Sequence, residues 1–261
     1  VLPLTEMLDA IVSGGELPER SIAITFDDAL QSIYDNAFPL LRERGWPFSV
    51  FVSSASKDLN YGGYMSWSDL AEMREYGAEI GGHSASHEHL VRRLETETDS
   101  QWLDRIIVEI DEGNRRIEEE LGIGVRVFAY PYGEYNQEIK ALIRERGLYG
   151  LAQQSGAVGR LTDPTQIPRY PMLGGYADID RFALVANSRP LPVAEVRAGT
   201  HVRVAGDDPG ILRIRLLGGQ YNSSQLACFS SEGARLETEW ESPWLSVTLG
   251  NFRPGRSKVN C

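Results

Sequence analysis

Two groups of side chains suited to metal chemistry follow strand-like runs in the first third of the chain. Asp27 and Asp28 come directly after the run Ser21–Phe26, and His83 and His87 follow a second apolar run. Adjacent aspartates repel each other and lose hydration unless a cation or an arginine compensates them. One Asp with two His supplies three ligands to a divalent metal and leaves one position for water. The spacing predicts a hydrolytic metal site; the alternative is a pair of surface or capping histidines without a chemical role.

These residues need a scaffold that brings strand ends together. Apolar, β-branched runs alternate with amphipathic stretches up to about residue 190. Continuous apolar runs mark strands covered on both faces, so the pattern predicts a parallel sheet with helices, open or closed into a barrel. Side chains at the carboxyl ends of such strands converge. The predicted strands are 21–26, 48–53, 78–82, 125–130, 148–153 and 166–170, and the predicted helices are 31–44, 99–121 and 135–146.

The sequence pattern changes after Pro192, and no helical pattern follows. Short alternating runs separated by Gly, Asp, Asn and Pro predict an all-β module. We therefore expect two domains, residues 1–192 and a small β-rich domain at 193–261. The predicted strands of the second are 202–204, 211–217, 225–229, 236–240 and 245–249. Its aromatic residues Tyr221, Trp240 and Trp244 are expected in the core of the module, with sugar stacking as the alternative.

Composition excludes several classes of partner. The 261 residues carry 37 acidic and 26 basic side chains, a net charge of −11, which argues against binding nucleic acid or an anionic membrane surface. No apolar run is long enough to span a bilayer. Cys228 and Cys261 either form a disulfide, which implies an oxidising compartment, or stay free. Because the chain begins at Val1 and not at Met, a removed signal peptide is one expectation.

Four short motifs occur in an order that is specific. They are ITFDD at 24–28, HSASH at 83–87, FAYPYG at 128–133 and IPRYP at 167–171. In this order the motifs resemble those of the polysaccharide deacetylases, carbohydrate esterase family 4, over residues 18–195. The resemblance implies the NodB-homology fold, a distorted (β/α) barrel, followed here by the small β module.

The resemblance also implies roles for the metal-site residues. Asp27 would be the catalytic base that activates a metal-bound water, and Asp28, His83 and His87 would hold the metal. This ligand set suits zinc, which we expect, with cobalt or nickel as alternatives.

Further roles follow from the later motifs of the family. The backbone N–H of Tyr132 would hold the oxyanion, and Tyr130, Pro131 and Tyr132 would form an apolar wall for the sugar. Tyr130 could instead pack on the barrel rim. Arg169 would pair with Asp27 and keep it ionised; the alternative is a surface salt bridge.

The chain departs from the family pattern at three places. Ala29 replaces the usual Gly after the aspartate pair, which we expect to be tolerated if its φ is negative. Ala129 replaces an Arg, which leaves Arg169 to pair with Asp27. The stretch 182–193 contains no His to act as general acid. We expect Asp27 to return its proton to the leaving amine, with His89 and His201 as alternatives.

The expected function is hydrolysis of acetyl groups from N-acetylated sugars of a polysaccharide, outside the cytoplasm. One alternative is a non-catalytic carbohydrate-binding protein that keeps the metal site, since the late His is absent. A less favoured alternative is a serine esterase, because the segment from Gly82 to Ser86 is one residue short of a nucleophile elbow. The oligomeric state cannot be predicted.

Overall fold

The computed structural model describes residues 1–59, 62–198, 210–219, 221–250, 252, 257 and 259–261. The chain divides into two compact units. The first comprises Val1–Ala152 with Pro164–Ile167, and the second comprises Gln153–Asp163 with Pro168–Cys261. The boundary expected between residues 192 and 193 stays a prediction. In the part of the chain that is described, no helix is both long and apolar enough to cross a membrane.

The first unit is built on a five-stranded parallel sheet in the sequential order β1-β2-β3-β4-β5. Its strands are β1 (Thr25–Phe26), β2 (Phe48–Val52), β3 (Ala78–Gly82), β4 (Val127–Ala129) and β5 (Tyr149–Leu151). Every residue of β2 is buried, as the continuous apolar run predicts. The sheet curls into part of a (β/α) barrel, which confirms the predicted fold class.

Six α-helices belong to the described residues of this unit. They are α1 (Leu4–Ser13), α2 (Phe38–Arg44), α3 (Ser54–Asp58), α4 (Trp67–Glu75), α5 (Asp99–Leu121) and α6 (Gln137–Glu145). Helix α5 has the predicted limits, because Thr98 and Gln101 form a capping box at its start and Gly122 ends it with φ +64°. Its apolar stripe packs into the cores on the sheet through Trp102, Ile106, Ile110, Ile117 and Leu121.

Other elements differ from the sequence-based expectation. The predicted helix 31–44 contains a π-helical turn at Ile33–Ala37 before α2. The predicted strand 166–170 is wrong, since only Ile167 bridges to Leu151 at the end of β5. Helices α1, α3 and α4 were not predicted; each has ten residues or fewer.

The second unit is mainly antiparallel. It contains a four-stranded sheet, β6-β7-β10-β9, and a two-stranded pair, β8 with β11. The elements of this unit are helix α7 (Ile179–Ala186) and strands β6 (Val193–Arg197), β7 (Ile211–Leu216), β8 (Phe229–Ser230), β9 (Thr238–Glu241), β10 (Trp244–Thr248) and β11 (Val259–Asn260). The predicted strand 202–204 and His201 lie outside the described residues.

The core of the second unit includes one half of a disulfide. Cys228 is fully buried beside Leu216, Leu245 and Val247 and is bonded to Cys261. Of the three aromatic residues singled out in this module, Tyr221 and Trp240 pack against this core. Trp244 instead makes cation–π contacts with the guanidinium groups of Arg197 and Arg213, which lie 4.7 and 4.9 Å from its ring centre.

Candidate active site

The carboxyl ends of β1 and β3 place the first two motifs at one edge of the sheet. Asp27 and Asp28 follow Phe26, the last residue of β1, and His83 follows Gly82, the last residue of β3. Strand β2 lies between them, and the backbone N–H of His83 donates to the carbonyl of Val52 at 2.9 Å. Parallel strands end at a common edge, so residues 55 positions apart in the chain meet there.

Asp28, His83 and His87 form a compact ligand trio. Asp28 Oδ1 lies 3.3 Å from His83 Nε2 and 3.2 Å from His87 Nε2. Within the described residues, these three side chains are the one group of at least three His, Cys, Asp or Glu whose ligand atoms lie within 4.8 Å of one another. Tetrahedral ligands at 2.0–2.1 Å from zinc are roughly 3.3 Å apart. The trio therefore fits a small divalent cation.

The His83 ring is fixed in one tautomer. It is 1% exposed, and its Nδ1 lies 2.7 Å from the backbone carbonyl of Ala129. A carbonyl only accepts, so Nδ1 carries the proton and donates. Nε2 is consequently left with a lone pair directed to the trio, the arrangement typical of metal-binding histidines.

His87 is held by the loop that follows β3. Both Ser84 and His87 have left-handed backbone, with φ +62° and +61°, and the N–H of His87 donates to Ser84 Oγ at 2.9 Å. Ser86 donates its N–H and its Oγ to the Glu109 carboxylate on α5. Ser84 is fully buried and caps this loop, which argues against its use as an esterase nucleophile.

The turn after β1 has an unusual backbone. Asp28 and Ala29 have φ +70° and +51°, so the condition under which Ala29 was expected to be tolerated, a negative φ, is not met. The Ala29 carbonyl accepts from the N–H of Met65 at 2.9 Å and from Lys57 Nζ at 3.0 Å. Burial lowers the pKa of Lys57 to about 8, and the charge of Asp28 opposes that shift. Nothing in the sequence singled out Lys57, a lone basic residue in a short helix.

The two histidines of the trio favour an ionised carboxylate. The His83 and His87 rings beside Asp28 hold the pKa of its carboxyl group well below the usual value. An ionised Asp28 is the form that binds a cation. Asp27 is the neighbouring residue, and its role as the base stays a prediction.

The third motif has one residue beside the trio and two in the interior. Tyr130 is fully buried, and its hydroxyl donates to the carbonyl of Thr165 at 2.7 Å. Pro131 is buried as well. The contacts with the sugar that were assigned to these two residues stay predictions. The burial of Tyr130 argues against a contact between its side chain and the sugar.

Tyr132 contacts two histidines. Its ring lies edge-to-face with His87 at 4.7 Å and is stacked on His89 at 3.8 Å. The backbone of Tyr132 is left-handed, with φ +58°. His89 Nδ1 donates to Glu134 Oε2 at 2.9 Å. Glu134 was not among the sequence-based candidates, since its contact with His89 spans 45 residues of chain.

Arg169, the remaining candidate, belongs to the second unit. Its backbone N–H donates to the carbonyl of Gln154 at 3.0 Å, within the same unit. Its pairing with Asp27 stays a prediction.

The comparisons with known proteins point to one family. One relative of this chain is the poly-β-1,6-N-acetyl-D-glucosamine N-deacetylase of Staphylococcus epidermidis. The two sequences are 32% identical over 163 residues, which cover 59% of this chain and 55% of the relative. A second relative, the enzyme of the same name from Staphylococcus aureus, is 26% identical over 160 residues, with the same coverage. This chain thus spans about half the length of the curated relatives it matches.

Solved structures agree on the fold. The deacetylase domain of BpsB from Bordetella bronchiseptica is 25% identical with a TM-score of 0.59, covering 64% of this chain and 77% of that one. IcaB from Ammonifex degensii shares the fold at 24% identity and a TM-score of 0.62, covering 72% and 82%. The model of the polysaccharide deacetylase family matches residues 14–151, more than half of the chain. Since this match spans β1–β5 and every member of the ligand trio, the chain belongs to the polysaccharide deacetylase family.

Proposed function

We propose that this protein is a metal-dependent hydrolase that removes acetyl groups from N-acetylated sugars of a polysaccharide. The observation that carries the proposal is the trio Asp28–His83–His87, with its ligand atoms within 4.8 Å at the carboxyl edge of the sheet. Family membership supplies the reaction class. An amide is a poor electrophile, and this edge offers the donor set that such a hydrolysis needs.

The trio would hold the cation, with zinc expected and cobalt or nickel as alternatives. When bound, the cation polarises the acetamide carbonyl and lowers the pKa of water. The bond from His83 Nδ1 to the Ala129 carbonyl prepares His83 for this role, because it fixes both the tautomer and the orientation of the ring.

The chain's own residues would then move the protons and hold the charge. Asp27 takes the proton from the attacking water. The backbone N–H of Tyr132 donates to the developing oxyanion, and Arg169 keeps Asp27 ionised. Asp27 finally returns the proton to the leaving amine, so no separate general acid is needed.

The substrate class follows from the relatives. The curated matches deacetylate poly-β-1,6-N-acetyl-D-glucosamine, so oligomers of that polymer are the first substrates to test. Such a polymer lies outside the cytoplasm, and the Cys228–Cys261 disulfide supports an oxidising, extracytoplasmic location.

Acetate release from β-1,6-linked N-acetylglucosamine oligomers tests the proposal. The wild-type protein should lose activity when treated with a chelator and regain it with zinc or cobalt. Asp27→Asn should lower kcat at least about 100-fold, the scale of general-base catalysis, while metal content stays at the wild-type level.

Three results would contradict parts of this proposal. Full activity in the presence of chelator would indicate a serine esterase. Metal-loaded protein that releases no acetate from any acetylated oligosaccharide would indicate a carbohydrate-binding protein. An Asp27→Asn variant with wild-type kcat would remove Asp27 as the base.

A further inference from the structure

We propose that Lys57 is a positioning residue, which holds the turn carrying Asp28 in the conformation that binds the metal. The proposal rests on metal binding by the trio and extends it to a side chain outside the motifs of the family. Lys57 is 7% exposed, so its ammonium group is placed to act on the protein interior and not on a polysaccharide.

Helix α3 contacts both loops that carry metal ligands. Ser53 Oγ, just before the helix, donates to the carbonyl of His83 at 2.7 Å. The N–H of Ala55 donates to the carbonyl of Ala85 at 2.9 Å. Lys57 Nζ donates to the carbonyl of Ala29 at 3.0 Å. Of these three donors, Lys57 alone reaches the turn of Asp28, so it links that turn to the histidine loop.

The turn needs such a donor because of its backbone. Asp28 and Ala29 are two consecutive non-glycine residues with positive φ. Aspartate adopts this conformation occasionally, but alanine is strained in it, since only glycine adopts it freely. Strained backbone persists where the surroundings hold it in place. Ala29 is fully buried, and its carbonyl is held by Lys57 and by the N–H of Met65.

The Lys57 ammonium is itself held in place. It lies 4.5 Å from the centre of the Tyr64 ring, a cation–π contact that compensates part of its lost hydration. Tyr64 in turn pairs with Leu30, the residue after Ala29, through a β-bridge. The lysine, the tyrosine and the turn therefore form one connected cluster.

Zinc affinity of the full chain, measured by competition with a chromophoric chelator, tests the role. Lys57→Met should weaken zinc binding by about 10- to 100-fold, the usual effect of losing a residue that supports a ligand. The matched control is Lys140→Met, because Lys140 is equally buried at 5% exposure and bonds Gln166 instead. That control should keep its zinc affinity within about threefold.

A second substitution separates positioning from general destabilisation. Glycine adopts positive φ freely, so Ala29→Gly added to Lys57→Met should recover most of the lost zinc affinity. The cobalt-loaded proteins should agree, with an altered visible absorption spectrum for Lys57→Met and a spectrum close to wild type for the double variant. If Lys57→Met does not fold, Lys57→Gln replaces it. Because the glutamine side chain is one atom shorter and uncharged, zinc affinity should again fall, and an unchanged affinity would overturn the role of Lys57.

The outcomes distinguish this proposal from the proposed function. Wild-type protein that binds no zinc overturns both. Wild-type protein that binds zinc, with Lys57→Met equally tight, overturns only the role of Lys57. Equal losses in Lys57→Met and Lys140→Met, or no recovery with Ala29→Gly, also overturn it, since the effect would then be one of stability.

Discussion

The three ligand side chains differ in how firmly the surrounding protein holds them. His83 is buried and locked by the Ala129 carbonyl, whereas Asp28 and His87 are partly exposed and sit on left-handed backbone. A left-handed conformation costs roughly 1–2 kcal/mol for a residue other than glycine. Two hydrogen bonds offset that cost: the N–H of His87 donates to Ser84 Oγ, and Lys57 Nζ donates to the carbonyl of Ala29 in the Asp28 turn.

His89 is the residue whose substitution separates stacking from proton transfer. If Asp27 acts as both base and acid, His89→Ala removes no proton donor; it removes the stack on Tyr132, worth about 0.5–1.5 kcal/mol, and the bond to Glu134. We expect kcat for acetate release to fall roughly 2- to 10-fold, with zinc affinity unchanged. Glu134→Gln, which keeps the His89 ring, is the matched control and should lose less.

A much larger effect would change the assignment of the general acid. If His89→Ala lowers kcat more than about 100-fold with wild-type zinc content, His89 and not Asp27 protonates the leaving amine.

Helix α5 packs closely against the loop that carries His83 and His87. The Glu109 carboxylate accepts from the N–H and the Oγ of Ser86, and the backbone carbonyl of Glu109 accepts from the N–H of Ala85. One turn later Gly113 lies so near the loop that a Cβ there would be 2.7 Å from the Ser84 carbonyl carbon. The absence of a side chain at Gly113 therefore permits this contact.

Gly113→Ala tests that contact. Overpacking against backbone costs about 1–3 kcal/mol, and the higher helix propensity of alanine returns about 1 kcal/mol. We expect the free energy of unfolding by denaturant to fall by up to about 2 kcal/mol and zinc affinity to weaken. The control is Gly124→Ala, whose Cβ would meet no atom within 4 Å. If the two variants are equally stable, the loop that carries His83 and His87 moves to accommodate the new Cβ without a cost in stability, and the prediction is wrong.

Prediction of the elements from sequence succeeded where the pattern was long. The 23 residues of α5 repeat an apolar stripe between a capping box and a glycine, so both limits could be predicted. Helix α3 has five residues, too few for a periodic pattern. The π-helical turn at Ile33–Ala37 has no sequence signature of its own. Residues 166–170 form an isolated bridge from Ile167 to Leu151 and not a strand.

At the scale of the whole molecule, the candidate metal ligands and the disulfide belong to different units. Asp28, His83 and His87 lie in the first unit, and Cys228 and Cys261 lie in the second. The disulfide joins residues 33 positions apart and ties the end of the chain to a core cysteine. Its stabilising effect is therefore expected in the second unit.

Replacing both cysteines by alanine measures that effect. Closing a loop of this length restricts the unfolded chain by about 3.5–4 kcal/mol in the chain-entropy model. The variant should unfold at lower denaturant concentration by a probe of the second unit, such as Trp240 fluorescence. Zinc stoichiometry should stay unchanged. Wild-type protein treated with reductant is the control and should behave like the variant; unaltered unfolding in both would contradict the prediction.

The amino-acid sequence by itself determined the class of the fold and the set of candidate ligands. Buried apolar runs predict parallel strands, and residues that follow such strands meet at one edge, so Asp28, His83 and His87 could be grouped without coordinates. Family membership was visible in the same motifs. These features are local, or follow from a rule that holds for all parallel sheets.

Only the tertiary structure decided how the site is held. The positive φ of Asp28 and Ala29, the burial of Tyr130 and the bond from Lys57 to Ala29 depend on contacts between residues far apart in the chain. The pair His89–Glu134 joins two loops in the same way. No periodicity or spacing records such contacts, because each depends on how the packed sheet and helices bring particular backbone and side-chain atoms within hydrogen-bond distance.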